Sequence, residues 1–311
     1  APMYPAILPL DSLVPKSFLS WGMDFSGMDH EEVTDRYSAH GHAIVPRKDP
    51  RRKGAQGYLT VNPNSLKSLR EKVYQTPCIL SFYTYVGVQE AKIVAAEVDE
   101  EMARWRTIGW QASIRPCEGT RQHASAGVAL LAPEGVAMCP LVAGNCPVKP
   151  PLSSRSGFWL CQGPFSGGHI TCVLYLTDSI GLVGPNLTLL DRVMFFLRTL
   201  GKPFVILADW QVSPGTLRES RWVTNNGCLV VNSGRPSAVG HNYSSELDYA
   251  VVSGHWESSC LSAQIDEALS FYPHSGVGIT LPGKVPPVFV EVLKRPAVHP
   301  AAPPSPPPPL T

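Results

Sequence analysis

Pro203-Phe-Val-Ile-Leu-Ala-Asp-Trp-Gln211 is the stretch that decides the fold. Five apolar or small residues follow the proline and lead directly to Asp209. A short unbroken apolar run is typical of a strand buried on both faces, and the acid then stands at the strand's carboxyl end, pushed out at the sheet edge. Because open α/β sheets build their sites at the carboxyl ends of strands, Asp209 is a candidate metal ligand or catalytic base. The alternative is an acid that caps a helix or a turn after a core strand.

The bulk composition limits the classes of protein to consider. The chain has 311 residues, of which 44% are hydrophobic and 16% are charged, enough to build one large domain or two small ones. The net charge of +1 excludes a global basic field as the means of attracting nucleic acid, although a local groove could still hold it. No apolar run reaches the roughly eighteen residues of a membrane span, so no membrane association is expected.

The cysteines indicate the redox compartment. Eight are scattered along the chain, and no two form a Cys-x-x-Cys motif. Several lie in apolar runs, where a free buried thiol is the usual state. We therefore predict an intracellular protein without a zinc site or a disulfide framework.

The chain divides by composition into three parts. Residues 1–56 are irregular and carry a basic cluster at 47–53, which we interpret as a solvated extension or a phosphate contact. Residues 57–283 form the predicted folded domain. Residues 284–311 are a proline-rich tail, either a linker or a ligand for an aromatic-lined module. The chain begins at Ala1 without a visible signal peptide, so we interpret it as a piece of a longer protein.

Within the domain, strand patterns outnumber helix patterns. Apolar spacing predicts helices at 65–74, 91–106 and 188–200, the last beginning with a capping box at Thr188 and Asp191 and ending at Gly201. The segment 133–157 is rich in proline, glycine and serine and predicts a long loop. Strands interleaved with a few helices favour a layered α/β sandwich over a helical bundle. The predicted strands are 57–62, 78–88, 126–132, 169–175, 203–209, 229–231, 248–252 and 276–281.

Polar side chains stand at the ends of these predicted strands. Each alone has an ordinary structural explanation, such as a turn residue, a helix N-terminal acid or a core aromatic. Their recurrence at successive strand ends is harder to explain structurally and points to a shared site. The residues are Asn62, Glu90, Tyr175, Asp209, Gln211, Asp248 and His274.

The order of several short motifs resembles the endonuclease/exonuclease/phosphatase superfamily, in particular the apurinic-type endonuclease domains of non-LTR retroelements. Each motif is weak alone, but their order and separations over residues 57–283 are more specific. The matching segments are Leu59-Thr-Val-Asn62, Val88-Gln-Glu-Ala-Lys92, Gly109-Trp110, Ser125-Ala-Gly-Val-Ala129, Val173-Leu-Tyr175, Ala208-Asp-Trp-Gln211, Ser245-Glu-Leu-Asp-Tyr249 and Pro273-His-Ser-Gly-Val277.

The resemblance implies a fold and an activity. The fold is α/β (α+β), a four-layer sandwich of two mostly antiparallel β-sheets flanked by helices. The activity is Mg²⁺-dependent phosphodiester hydrolysis that nicks DNA, with Mn²⁺ as another usable ion. The partners implied are DNA and a reverse transcriptase domain in the same polyprotein, which would place the protein in the nucleus. No oligomeric state is predicted.

The resemblance also assigns a role to each polar residue. Glu90, with help from Asn62, binds the metal, and Asp209 positions or deprotonates the attacking water. Gln211 and His274 contact the phosphate. Tyr175 donates to the phosphate or the leaving group, and Asp248 is a supporting acid that orients the histidine.

Two positions depart from the family pattern. Gln211 stands where the family has asparagine, so its amide reaches one methylene further. Pro273 stands where the family has an aspartate beside its histidine, so His274 is expected to lack its usual orienting partner unless another acid substitutes. These departures keep open the alternative of a degenerate member that binds nucleic acid without cutting it. A second alternative is a small-molecule or lipid phosphatase of the same superfamily.

Overall fold

A computed structural model describes residues 55–282, apart from 120–124, 144–145, 147–148, 152, 166 and 257–260. The basic cluster at 47–53 and the proline-rich tail therefore lie outside the described residues. In chain order the strands are β1 Ala55–Val61, β2 Tyr85–Val88, β3 Trp110–Arg115, β4 Val128–Pro133, β5 Met138–Pro140, β6 Ser156–Cys161, β7 His169–Tyr175, β8 Phe204–Asp209, β9 Cys228–Val231, β10 Ala238–Val239, β11 Ser244–Ser245, β12 Asp248–Ser253, β13 Ser262–Phe271 and β14 His274–Pro282.

The helices lie between these strands. They are α1 Leu66–Gln75, α2 Val98–Arg106, α3 Gly184–Leu200, α4 Pro214–Glu219 and α5 Trp222–Asn225, with 3₁₀ turns at Pro77–Leu80 and Ala95–Glu97. Among the described residues, none of these helices combines the length and the apolar character needed to cross a membrane. Among the described residues, Cys117, Cys146, Cys161, Cys172 and Cys228 are free thiols.

The strands form two sheets that face each other. The first has the order β11-β10-β14-β1-β2-β4-β3, with β13 added beside β14, and the second has the order β5-β6-β7-β8-β12-β9. Each sheet contains one parallel pair, β1 with β2 and β7 with β8, and is otherwise antiparallel. The predicted sandwich of two mostly antiparallel sheets is thus confirmed.

Three apolar layers hold the sandwich together. The layer between the sheets includes the buried side chains Tyr58, Tyr85, Trp159 and Leu207. A second layer joins α1 and α2 to the first sheet, and a third joins α3, α4 and α5 to the second. The architecture is therefore helix, sheet, sheet, helix, as predicted.

The sheets approach closely beneath the predicted site. A Cβ added at Gly87 would lie 2.8 Å from Leu207 Cδ1, so glycine lets β2 pack directly on β8. Next to it, the buried Gln89 amide donates to Thr60 Oγ1 at 3.1 Å and to the Leu207 carbonyl at 3.2 Å. This amide connects the two sheets immediately below Glu90 and Asp209.

Several predicted element boundaries are wrong for local reasons. In the predicted strand 78–88, Pro77 begins a 3₁₀ turn, so only Tyr85–Val88 is a strand. The predicted helix 91–106 becomes a 3₁₀ turn followed by α2 at Val98. The segment 133–157 is not one loop, because it contains β5 and the start of β6.

The long helix α3 starts earlier than its predicted capping box. It begins at Gly184 with a proline in its first turn, and the Thr188 hydroxyl donates to the Gly184 carbonyl as an interior residue does. Its predicted end is confirmed, since Gly201 caps the helix with a left-handed φ of 59°.

Candidate active site

The structure brings all seven predicted polar residues to one end of the sandwich. Asp209 and Tyr175 are the last residues of the parallel strands β8 and β7 and lie directly opposite each other. Asp248 begins β12 and faces Asp209 across the antiparallel pair. His274 begins β14 rather than preceding it, as the sequence had suggested. Asn62 and Glu90 follow the parallel strands β1 and β2 of the other sheet.

Asp209 lies at the centre of this cluster and is fully buried, not pushed out at the sheet edge. The Gln211 amide donates to both of its carboxylate oxygens at 2.8 Å, and the Asn62 amide donates to Oδ2 at 3.0 Å. Burial raises the pKa of Asp209 to about 7, and Asp248 adds to this rise, while His274 and the hydrogen bond from Asn62 oppose it. The carboxylate is therefore positioned from both sheets and titrates near neutral pH.

Both ends of the Asn62 side chain are engaged. Its Nδ2 donates to Asp209, and its Oδ1 accepts from the Asn64 backbone N–H at 3.2 Å. These contacts place Asn62 as a residue that orients Asp209. The contacts of Asn62 among the described residues therefore do not support its predicted contribution to metal binding.

His274 has an orienting acid despite Pro273. Its Nδ1 lies 2.9 Å from Asp248 Oδ2, and its Nε2 lies 3.9 Å from Asp209 Oδ2. Burial works to lower the pKa of His274, but Asp248, Asp209 and Glu90 together raise that pKa to about 9. The imidazole is therefore a cation at neutral pH, and Asp248 is the acid that substitutes for the aspartate missing at Pro273.

Ser237 completes this pair and was not found from the sequence. Its buried hydroxyl donates to Asp248 Oδ2 at 2.9 Å and accepts from the backbone N–H groups of Leu247 at 2.9 Å and Asp248 at 2.8 Å. The residue lies in a Gly-Arg-Pro-Ser loop with no strand or helix pattern. No local signal in the sequence could have identified it.

Glu90 is the half-buried carboxylate of the site. Lys92 Nζ lies 2.9 Å from its Oε2, and the Tyr175 hydroxyl donates to the same side chain. Burial works to raise the pKa of Glu90, but Tyr175 and Lys92 hold that pKa below its usual value. Glu90 is thus ionised over the physiological range. Glu90 and Lys92 both adopt left-handed backbone conformations, with φ of 48° and 50°, as strained residues at functional sites do.

Arg155 is a second residue that sequence analysis missed. Its guanidinium carbon lies 5.0 Å from the centre of the Tyr175 ring, and its carbonyl accepts from the Tyr175 N–H at 2.9 Å. One of its guanidinium nitrogens, Nη1, is buried and has no hydrogen-bond partner among the described residues. The Arg155 guanidinium therefore stands over the Tyr175 ring with one nitrogen that could donate to an anionic ligand.

The donor chemistry of the pocket fits a divalent cation. Carboxylate oxygens of Asp209 and Asp248 and a ring nitrogen of His274 all lie within 4.8 Å of one another, and with His274 protonated the ligand atoms for a cation are the carboxylate oxygens. Nδ1 of His274 and Oδ2 of Asp248 are used in their mutual contact, whereas Asp248 Oδ1 is buried without a partner. Glu90 supplies a further ionised carboxylate, and unlike the two aspartates it reaches solvent. Carboxylate oxygens are the ligands that Mg²⁺ prefers, so Glu90 is the best-placed first ligand for an ion that arrives from solvent.

Comparison of the chain with known proteins places its fold. No protein-family model matches the chain, and no curated protein matches it. Among solved structures, AP endonuclease LMAP from Leishmania major is 13% identical, with a TM-score of 0.55 over 90% of this chain and 99% of that one. The endonuclease domain of TRAS1, a telomere-specific non-LTR retrotransposon, is 11% identical, with a TM-score of 0.55 over 74% of this chain and 99% of that one.

A third structure extends the same set. The APE2 catalytic domain of Xenopus laevis is 14% identical, with a TM-score of 0.54 over 75% of this chain and 96% of that one. At these identities the likeness concerns the fold, and the two facing sheets with their flanking helices agree with it. The chain has the fold of the endonuclease/exonuclease/phosphatase superfamily.

Proposed function

We propose that this protein is a divalent-metal-dependent phosphodiesterase that nicks DNA. One observation carries the proposal: the buried, doubly hydrogen-bonded Asp209 lies beside the Asp248–His274 pair, at the end of the sandwich where Glu90 reaches solvent. Phosphodiester hydrolysis needs a positioned water, a neutralised phosphate and a stabilised leaving oxygen. This arrangement contains a group suited to each of those tasks.

Asp209 is the residue that holds the attacking water and takes its proton. A general base works best when its pKa lies near the working pH, and burial brings the pKa of Asp209 to about 7. The amides of Asn62 and Gln211 fix the orientation of its carboxylate. The water oxygen attacks phosphorus, the bond from phosphorus to the leaving oxygen breaks, and the proton released by the water passes to Asp209.

The cationic side chains meet the negative charge of the phosphate. The His274 imidazolium, oriented through Nδ1 by Asp248, presents Nε2 on the Asp209 side. Arg155 adds a second cation next to Tyr175. The Tyr175 hydroxyl, which donates to Glu90 in this structure, would donate to the phosphate or the leaving oxygen when substrate binds. Glu90 would hold Mg²⁺ or Mn²⁺, and a bound ion of this kind neutralises phosphate charge.

DNA is proposed as the substrate on two grounds. The motifs along the chain resemble those of retroelement endonucleases, and the similar structures include an AP endonuclease and the endonuclease domain of a retrotransposon. A retroelement origin would add a reverse transcriptase in the same polyprotein and a nuclear site of action. These two features belong to the proposal and rest on the resemblance.

Nicking of supercoiled plasmid tests the proposal. We expect wild-type protein to convert plasmid to the open circle with Mg²⁺ and not with EDTA. Glu90→Ala and Asp209→Ala should both abolish this conversion. Glu134→Ala, which removes an exposed carboxylate, is the matched control and should cut like wild type.

Three results would overturn the proposal. If either Glu90→Ala or Asp209→Ala still cut, the assignment of the residues would fail. If well-folded wild-type protein bound DNA without cutting it, the protein would instead be the degenerate, nucleic-acid-binding member of the superfamily that Gln211 and Pro273 suggest. Hydrolysis of phosphomonoesters without nicking would instead indicate a phosphatase.

A further inference from the structure

The mouth of the candidate site carries an unusual concentration of exposed apolar side chains. Seven large hydrophobic residues are exposed in the part of the chain that the structure describes, and three of them lie in β10 and in the β10–β11 and β13–β14 connections, near His274. These are Val239, Tyr243 and Tyr272, with exposures of 52%, 49% and 74%. We refer to the two tyrosines as the tyrosine rim. Single exposed apolar residues are normal on a protein surface, but a cluster next to a site indicates a contact with a ligand.

Backbone hydrogen bonds tie the tyrosine rim to the catalytic residues. Tyr272 precedes His274 by two residues, and its carbonyl accepts from the Asn64 amide at 2.8 Å. The N–H of Val239 donates to the Pro273 carbonyl at 2.8 Å, and Ala238 pairs with His274 across β10 and β14. The rim therefore keeps a fixed position relative to His274 and Asp209.

The ring of Tyr243 is also held in place. It lies against Gly240, where an added Cβ would come within 2.2 Å of the Tyr243 Cε1 atom, and the Gly240 N–H donates to the Tyr243 carbonyl at 2.9 Å. The half-exposed ring is thus held next to β10, whose Ala238 pairs with His274. Among the described residues, neither rim hydroxyl makes a hydrogen bond.

The position of the tyrosine rim beside the proposed phosphate site indicates which chemical group the two rings would contact. In a nucleic acid, the flat apolar group nearest to a phosphate is a base, and aromatic rings stack on bases without reading their sequence. Bases inside a duplex are already covered on both faces by their neighbours. An open base, in a single strand or a locally opened duplex, leaves a face free for an aromatic ring.

We infer that Tyr243 and Tyr272 stack on an unstacked base adjacent to the cleaved phosphate, so that the preferred substrate is single-stranded or locally opened DNA. This inference rests on the proposed function, which places that phosphate beside His274. It adds a base-binding subsite formed by two loops, and the phosphate chemistry itself does not require this subsite.

Binding to a strand with and without bases tests the inference. Fluorescence anisotropy in EDTA would give the Kd of the protein for a twelve-residue oligo-dT and for an abasic strand with the same phosphate backbone. Because stacking on one base contributes about 1–3 kcal/mol, we expect wild type to bind oligo-dT about tenfold more tightly. Tyr272→Ala and Tyr243→Ala should bring the ratio of the Kd for the abasic strand to the Kd for oligo-dT close to one.

Two kinds of variant distinguish stacking from other effects. Tyr272→Phe and Tyr243→Phe keep the ring and should keep the wild-type ratio. Tyr74→Ala removes another exposed tyrosine, 46% exposed on α1, whose hydroxyl lies 3.3 Å from Thr107 Oγ1, and should also keep it. A wild-type ratio near one, or an unchanged ratio in the Tyr243→Ala/Tyr272→Ala double variant, would overturn the inference. Plasmid nicking by the same samples separates this failure from failure of the proposed function, because nicking does not depend on the ratio.

Discussion

Nδ1 of His274 lies 2.9 Å from Oδ2 of Asp248, and that same carboxylate oxygen accepts the hydroxyl of Ser237. The three residues come from β14, from β12 and from the loop before β10. The orientation of the imidazole is thus set by contacts among segments that are separated in the chain. Because Asp248 orients the imidazole, the proline at position 273 is compatible with the catalytic role proposed for His274.

Ser237 is predicted to act as a positioning residue. In Ser237→Ala, Asp248 loses a hydrogen bond, and two backbone N–H groups lose their acceptor. We expect a loss of about 1–3 kcal/mol in the free energy of unfolding, together with a drop of about tenfold in nicking rate. Urea unfolding and plasmid nicking measure the two effects.

The control for this prediction is another serine with a similar structural role. Ser213 caps α4 by accepting from the Thr216 N–H at 3.1 Å, and its loss should cost about 1 kcal/mol without slowing cleavage. Ser237→Thr, which keeps the hydroxyl, should recover most of the rate. Equal nicking rates for Ser237→Ala and Ser213→Ala would show that Ser237 is only structural.

The sequence predicted the parts of the fold whose signals are local. The strand at Phe204–Asp209 and the end of α3 at Gly201 follow from a run of apolar residues and from a helix-terminating glycine. The strand β13, Ser262–Phe271, was missed because its exposed positions carry Ser, Gln and Glu. Such a strand is defined by its pairing with β14, which no local pattern reports.

The same distinction applies to the site. The predicted polar residues were recognisable because each stands at the end of an apolar strand, and the fold brings those ends together. Ser237 and Arg155 were not recognisable, since their importance depends on contacts with Asp248 and Tyr175, eleven and twenty residues further along. The role of Asp248 as the partner of His274 likewise depends on how the two sheets pack, because β12 and β14 belong to different sheets.

Protonation of His274 makes the stability of the protein depend on pH. Its pKa is raised to about 9 in the folded state by Asp248, Asp209 and Glu90, against about 6.5 in an unfolded chain. A histidine whose pKa is higher in the folded state contributes its full stabilisation at pH values below its pKa in the unfolded chain. This contribution is lost as pH rises through its pKa in the folded state. We therefore expect the free energy of unfolding to fall between pH 7 and pH 9, by on the order of 2 kcal/mol.

Denaturant unfolding at several pH values checks this expectation. Asp209, whose pKa is raised to about 7, contributes mainly below the chosen window and changes stability in the same direction. His274→Gln removes the titrating ring, but the pKa of Asp209 then rises because His274 no longer opposes it, so the stability of the variant should fall less from pH 7 to pH 9 than that of wild type. A wild-type curve as flat as that of the variant would mean that His274 is not a cation in the folded protein.

Gln211 is predicted to control the ionisation of Asp209. Its amide donates to both carboxylate oxygens at 2.8 Å, which favours the charged form of a fully buried acid. In Gln211→Leu, the Asn62 amide is the remaining side-chain amide donor to Asp209, so the pKa of Asp209 should rise further. A hydrogen bond to a charged group contributes about 1.5–3 kcal/mol, so nicking at pH 7 should slow by about 10- to 100-fold.

The pH profile of nicking distinguishes this effect from a loss of phosphate binding. If Gln211 acts through Asp209, the rise in rate on the acid side of the profile should move to higher pH in Gln211→Leu. Gln211→Asn keeps a donor and suits the left-handed backbone, φ 53°, at this position, so it should cut with a nearly normal profile. A slower Gln211→Leu whose acid side is unmoved would show instead that the Gln211 amide acts on the phosphate, the role that the resemblance assigns to it.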